Sequence, residues 1–278
     1  MKPVRLSFLL LLCSLPVLSH QQPTLSATVR LAVMEDFREP LKVVPCANDE
    51  RLPAVKTLFQ KMGADDASIT VEKIKDVENI VIRKPGASSE TIFIGAHYDF
   101  TGPGSCGAID NWTGIVTIAQ IYRTIKDMPC HKTIVFVGFG KEEKGMVGSK
   151  AMVKQFKKDE IKQYCAMINV DSLGLSNPQV MSNISDKKLR NLAKEEAEKL
   201  NIPFQFVNVA NASSDSASFS AKKIPALTIA SLPAEWSEVF HSKHDQANRI
   251  KIENVYLGYK LTLSLLLHLD QQECGANR

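Results

Sequence analysis

Short apolar runs alternate with helical periodicities along most of this chain. Ile69–Val71 and Asn79–Arg83 read as strands, the second entering the turn Lys84-Pro85-Gly86. Thr91–Ala96, Thr133–Gly138 and Ala166–Val170 are apolar runs of buried-strand type, and Phe204–Val209 and Ala226–Ala230 are further strands. Between them, apolar positions recur at helical spacing over Trp112–Lys126, Val147–Lys157 and the strongly charged Lys187–Leu200, and Glu253–Leu269 forms a last helix. Residues 23–62 are helical and irregular, with Arg51–Met62 a helix that Gly63 ends.

This alternation predicts an α/β fold: a mainly parallel central sheet of mixed type with helices on both faces. The 278 residues fit one large domain, taken here as residues 20–278 with residues 20–62 its helical N-terminal segment. In such sheets ligands sit just past the carboxyl ends of the strands, which says where to look for chemistry.

Composition narrows the partners. Apolar residues make up 44% of the chain, enough for a substantial core. The formal charge is +4, and setting aside Lys2 and Arg5 leaves 32 basic and 30 acidic residues without a long basic run. Nucleic acid and an anionic membrane surface are therefore not expected partners.

Lys2 and Arg5 precede an apolar stretch reaching about Leu18, with Val17 and Ser19 suitably placed for cleavage. Residues 1–19 thus read as a signal peptide, too short and too interrupted by Pro16 to anchor in a bilayer. A secreted, extracellular or periplasmic protein is expected, with no membrane attachment after cleavage. The run Leu261–Leu267 is likewise too short to span and reads as a docked helix.

After cleavage five cysteines remain, Cys46, Cys106, Cys130, Cys165 and Cys274, so at least one is unpaired within the chain. Cys130 and Cys165 each precede a strand expected to run parallel, which predicts a disulfide between them at the end of the sheet away from the site.

Polar residues follow the strands repeatedly. His97-Tyr98-Asp99 follows the first buried run, Lys141-Glu142-Glu143 the second, Asp171 the third, and the segment after Ala226–Ala230 reaches His241. Asp110-Asn111 lies in a glycine-rich loop opening the helix near Trp112. Singly each has an ordinary reading: a core histidine, a helix cap, a solvated turn. Jointly they bring imidazoles and carboxylates to one sheet edge. Zinc accepts His nitrogen and Asp or Glu oxygen. Two zincs sharing a carboxylate need about five such groups, and a further carboxylate takes a proton from water.

The series Gly95-Ala96-His97-Tyr98-Asp99, Gly107-Ala108-Ile109-Asp110-Asn111-Trp112-Thr113-Gly114, Glu142-Glu143-Lys144-Gly145, Asn169-Val170-Asp171 and His241-Ser242-Lys243-His244-Asp245 resembles metallopeptidase family twenty-eight, over about residues 65–270. That family includes secreted di-zinc leucyl-type aminopeptidases with a zinc-exopeptidase fold. The resemblance implies two zinc ions per chain and a role for each residue. Asp110 bridges the metals, His97 and Asp171 complete one, and Glu143 and His241 complete the other. Glu142 is the general base, and the Asp99 carboxylate orients His97. Asp215, in Ser214-Asp215-Ser216, is a weaker substrate-side candidate.

Departures from the pattern mark the last motif, where His244 rivals His241. The spacing of Asp245 favours His241. Cys106 stands close to the metals and is either a reactive thiol or a packed small side chain. The sequon at Asn111 is expected to be buried and unmodified, whereas those at Asn183 and Asn211 are more accessible.

The implied function is hydrolysis of N-terminal residues from peptides by a monomer. The alternatives are a glutaminyl-peptide cyclotransferase, which shares the fold and uses one zinc, a carboxypeptidase or dipeptidase, and a non-catalytic relative that has lost its ligands. Trp112, Phe219, Trp236 and Phe240 are candidates for an apolar substrate pocket.

Overall fold

A computed structural model describes residues 29–278; the signal-peptide reading of residues 1–19 falls outside the described residues. Two helices, α1 (Glu35–Lys42) and α2 (Asn48–Lys61), lead into β1 (Ile69–Ile74), β2 (Val77–Lys84) and β3 (Thr91–His97). Then come α3 (Thr113–Ile125), β4 (Thr133–Phe139), α4 (Val147–Gln155), β5 (Tyr164–Val170) and β6 (Gln179–Met181). The chain continues through α5 (Lys187–Lys199), β7 (Gln205–Val207), α6 (Ser216–Ser220), β8 (Ala226–Ala230) and α7 (Ile252–Gln271).

The eight strands form one sheet in the order β1-β2-β4-β3-β5-β8-β6-β7. Its central four, β4, β3, β5 and β8, are mutually parallel. The expectation of a mainly parallel sheet holds there and fails at the flanks. β1 and β2 are joined through Lys75-Asp76 alone, a link that permits only antiparallel pairing, and β2 also runs antiparallel to β4. β6 is antiparallel to β8, with β7 parallel to it at the edge.

Period-two alternation sorts the strand residues into two layers. Ile80 and Ile82, Ile92 and Ile94, Ile134 and Phe136, and Ile168 and Val170 face one core, which α1, α2, α3, α5 and α7 cover. Val81, Phe93, Val135, Val137 and Met167 face the other, beneath Met152, Val153 and Phe219 of α4 and α6. Strands buried on both faces need apolar residues throughout, as β3 and β4 have. No helix among the described residues is long and apolar enough to cross a membrane.

The expected Cys130–Cys165 disulfide does not form. β3 lies between β4, which Cys130 precedes, and β5, which holds Cys165, so the two cysteines are not on neighbouring strands. Cys165 pairs instead with Cys274 beyond α7, Cys46 pairs with Cys106, and Cys130 is buried and free.

The topology creates a crevice. From β3 the chain crosses through α3 to β4 on one side, and from β4 through α4 to β5 on the other side of β3. The carboxyl end of β3 is thus flanked by those of β4 and β5, at a switch point of the kind that hosts ligands.

Candidate metal centre

His97 is the last residue of β3, Glu142 and Glu143 follow β4, and Asp171 follows β5. Asp110 sits in the turn before α3, where its peptide bond to Asn111 is cis. His241 comes from the loop between β8 and α7. All six line one cavity of about 220 Å³.

Within it the groups divide in two about Asp110. His97 Nε2 lies 3.1 Å from Asp110 Oδ1 and 3.5 Å from Asp171 Oδ1. His241 Nε2 lies 3.3 Å from Asp110 Oδ2 and 2.9 Å from Glu143 Oε2. Asp110 therefore turns one oxygen to each set. The side chains thus group as the sequence resemblance expected. His244 is exposed and outside the cavity.

Burial and mutual charge shift the proton affinities of the whole cluster. Burial opposes protonation of His97, but its bonds to Asp110 and Asp171 outweigh that and hold it well above the usual imidazole range. Hydrogen bonds to Asp110 and Glu143 raise His241 to about 10. Burial opposes ionisation of Asp110, yet the two histidines keep it far below the carboxylate range. Burial pushes Glu142 up to about 9, and the charges of Asp215, Asp171 and Asp110 add to the effect. Glu143 is likewise raised, chiefly by burial. Its Oε1 is buried without a hydrogen-bond partner, a cost that a bound cation would remove. The donors are nitrogen and carboxylate oxygen, which suit zinc. Among the described residues, His97, Asp110 and Glu143 each offer a ligand atom, all within 4.8 Å of one another.

Support for these side chains differs in part from expectation. His97 Nδ1 lies 3.0 Å from the main-chain oxygen of Asp99, whereas the Asp99 carboxylate, at 3.8 Å, is beyond hydrogen-bond range. That carboxylate instead accepts from the Glu142 and Glu143 N–H groups at 2.8 and 3.3 Å. Asp99 thus orients the histidine through its backbone and the two glutamates through its side chain. The reason is local: the chain turns after β3, presenting a carbonyl to the ring and the carboxylate to the β4 end.

Three supports were not assigned from sequence. Ser214 donates to Asp171 Oδ2 at 2.5 Å and accepts from Asn169 at 2.6 Å. Asp245 accepts from the Ile109 and Asp110 N–H groups at 2.7 and 3.3 Å, fixing the turn that aims Asp110. Arg51 is fully buried, 4.7 Å over the Phe100 ring, and donates to Gly107 O at 3.0 Å. The spacing of Asp245 from His241 and the segment Ser214-Asp215-Ser216 were the available signals; Arg51 gave none inside a charged helix.

Asp215 does not line the cavity. It is fully buried, with neither carboxylate oxygen partnered, and burial pushes it up to about 7. The turn presents Ser214 to the site and puts Asp215 in the interior. Cys106 is no thiol, being bonded to Cys46. Asn111 is fully buried, as its place beside Asp110 implied. Trp236 and Phe240 line the cavity with Met181, Val209, Ala212 and Leu232, while Trp112 and Phe219 belong to the core.

Comparison with known proteins gives a family and a fold. The model of peptidase family M28 matches residues 79–259. A probable leucine aminopeptidase of Trichophyton verrucosum is 27% identical over 237 residues, covering 77% of this chain and 64% of that protein. The chain thus spans less than two thirds of the length of that relative. Among solved structures, a zinc aminopeptidase from Bacillus subtilis shares the fold at a TM-score of 0.63 and 24% identity, over 71% of this chain and 52% of that one. A glutaminyl cyclase from an Acidobacteriales bacterium does so at 0.71 and 16%, over 86% and 92%.

Proposed function

The chain belongs to peptidase family M28, and on that premise we propose that it is a zinc-dependent aminopeptidase holding two ions and releasing N-terminal residues from peptides. The observation that carries this reading is Asp110, whose two oxygens serve two separate histidine–carboxylate pairs. His97 and Asp171 would hold one zinc, Glu143 and His241 the other, and Asp110 both. When bound, zinc polarises the peptide carbonyl and makes water a stronger acid.

The chain's own groups account for the rest. Glu142 faces the cavity without belonging to either pair; the raised proton affinity it has in the empty site would fall beside bound zinc, leaving a carboxylate to take a proton from the attacking water and return it to the departing amine. The cavity lining contains no Lys or Arg to pair with a C-terminal carboxylate. That favours an aminopeptidase over a carboxypeptidase. Met181, Leu232, Trp236 and Phe240 beside the metal set fit an apolar N-terminal side chain.

The cyclotransferase reading rests on the shared fold and needs only one zinc, which leaves one of the two pairs about Asp110 without a duty. The signal-like residues 1–19 and the two disulfides support export to an oxidising compartment, and we take the mature protein to act as a monomer.

The test uses the purified chain on aminoacyl amides, N-acetylated peptides and N-terminal glutaminyl peptides, before and after chelation and zinc return. Hydrolysis of apolar aminoacyl amides, absent for blocked peptides and restored by zinc, is the expected result. Ring closure of glutaminyl peptides without amide hydrolysis would replace the reading.

A further inference from the structure

The two halves of the centre are supported in different ways. His97 and Asp171 stand at the ends of adjacent central strands, their side chains 2% and 14% exposed. His241 stands on a loop, with its side chain 52% exposed. Its φ is +55°, in the left-handed region that residues with a Cβ adopt uncommonly and that packed surroundings help to hold.

The loop 100–107 supplies those surroundings. At Gly102, itself at φ +97°, an added Cβ would fall 2.1 Å from the His241 carbonyl oxygen and 2.6 Å from its Cα. Backbone lies directly on backbone there, with room for no side chain. Further along both segments, Gln246 Nε2 donates to Gly104 O at 2.9 Å and Cys106 N donates to Asp245 O at 3.1 Å.

The far side of the same loop is fixed to the start of α2. The Asn48 side chain donates to Phe100 O and accepts from Phe100 N at 2.9 and 3.0 Å. The Cys46–Cys106 disulfide adds a covalent link. Cys46 is exposed, so this link is open to substitution or reduction without disturbing the core.

We propose that the Cys46–Cys106 staple, acting through Gly102, positions His241 and so sets zinc affinity at the Glu143–His241 half of the centre. The inference rests on the two-zinc reading above. The staple touches no ligand and acts only by holding the loop.

Zinc content at fixed free zinc, measured by elemental analysis, tests it. The unaltered chain should hold two ions. A Cys46→Ser/Cys106→Ser variant with an unchanged far-UV spectrum should hold one, the second binding at least about tenfold more weakly. Substituting the distant pair, Cys165→Ser/Cys274→Ser, should leave both ions in place. Combination assigns the half. In an Asp171→Asn background, removing the staple should release the remaining ion; in a Glu143→Gln background it should change nothing further.

Should the double serine variant not fold, reducing the Cys46–Cys106 bond with a phosphine in the folded Cys165→Ser/Cys274→Ser protein should weaken the second ion severalfold. Two ions held at unaltered affinity by a folded staple variant, or after that reduction, overturn the proposal, as does equal release in both backgrounds. A single ion in the unaltered chain fails the two-zinc reading itself, before any substitution is made.

Discussion

Adjacent carboxylates can serve different ends when the backbone between them is fixed, and here the Asp99 side chain holds the N–H groups of both Glu142 and Glu143. Glu143 is bonded to His241, whereas Glu142 reaches the cavity outside both pairs. Their amides should therefore fail differently. Glu142→Gln should keep both ions and lose about 10²–10⁴-fold in turnover, the usual contribution of general-base catalysis. KM should move far less than kcat. Glu143→Gln should lose an ion. Metal stoichiometry and turnover on the two variants decide the matter; near-normal turnover in Glu142→Gln removes the assignment. The histidines give a pH prediction. In the metal-free protein, hydrogen bonds to Asp110 and Glu143 raise His241 to about 10, and His97 is also held high. Both rings are thus protonated near neutral pH and must lose protons to bind zinc. Affinity should rise with pH up to about pH 10, by up to about tenfold per pH unit for each proton displaced. Calorimetry in buffers of different ionisation heat would count the protons, and a pH-independent affinity would contradict the raised values.

Among the elements, Asn111 shows how one side chain locks strand, helix and turn together. Its amide donates to Val170 O at the end of β5 at 2.9 Å, and its oxygen accepts from Gly114 N in α3 and Ser172 N, both at 3.0 Å. Gly114 is required beneath it, since a Cβ there would lie 2.3 Å from the Asn111 oxygen. Asn111→Ala leaves three buried backbone groups unpaired and should cost at least about 2 kcal/mol. Denaturant unfolding measures this, and a loss below about 0.5 kcal/mol would show that the clamp is not needed. The sequence made Asn111 legible as a helix cap and as a buried sequon, but not as a tie to β5. The same limit recurs elsewhere. Strands β3, β4, β5 and β8 were readable because burial on both faces demands unbroken apolar runs. The three-residue β6 carries too little pattern to read, yet it brings Met181 to the cavity. Residues whose side chains line the cavity at strand ends, such as His97 and Asp171, announced themselves in the sequence. Ser214 and Asp245 act through hydrogen bonds that only the packed structure reveals. The Cys130–Cys165 pairing failed for want of strand order, which depends on the crossovers rather than on local pattern.

Over the whole molecule, the two disulfides lie at opposite ends of the sheet and should have separable effects. Cys46–Cys106 borders the loops at the carboxyl ends of the central strands. Cys165, near the start of β5, joins Cys274, just past α7, and so ties the C-terminal segment to the far end of the sheet. The Cys165–Cys274 bridge closes a sequence separation of 109 residues. Chain-entropy arguments assign a loop of that length roughly 4–5 kcal/mol, and typical measured values are about 2–4 kcal/mol. For a domain of this size each 1 kcal/mol shifts Tm by about 2–4 °C. Cys165→Ser/Cys274→Ser should therefore lower Tm by roughly 5–15 °C. Neither cysteine lines the metal cavity, and α7 remains docked through Leu261, Leu265 and Leu266 in the main core. Turnover well below the transition should accordingly remain within about twofold of the unaltered protein, because the bridge acts mainly on the unfolded chain. Differential scanning calorimetry paired with turnover at 25 °C makes the comparison. An unchanged Tm would mean that α7 packing alone fixes the C-terminal segment. A folded variant with much reduced turnover would mean that the far end of the sheet communicates with the metal centre.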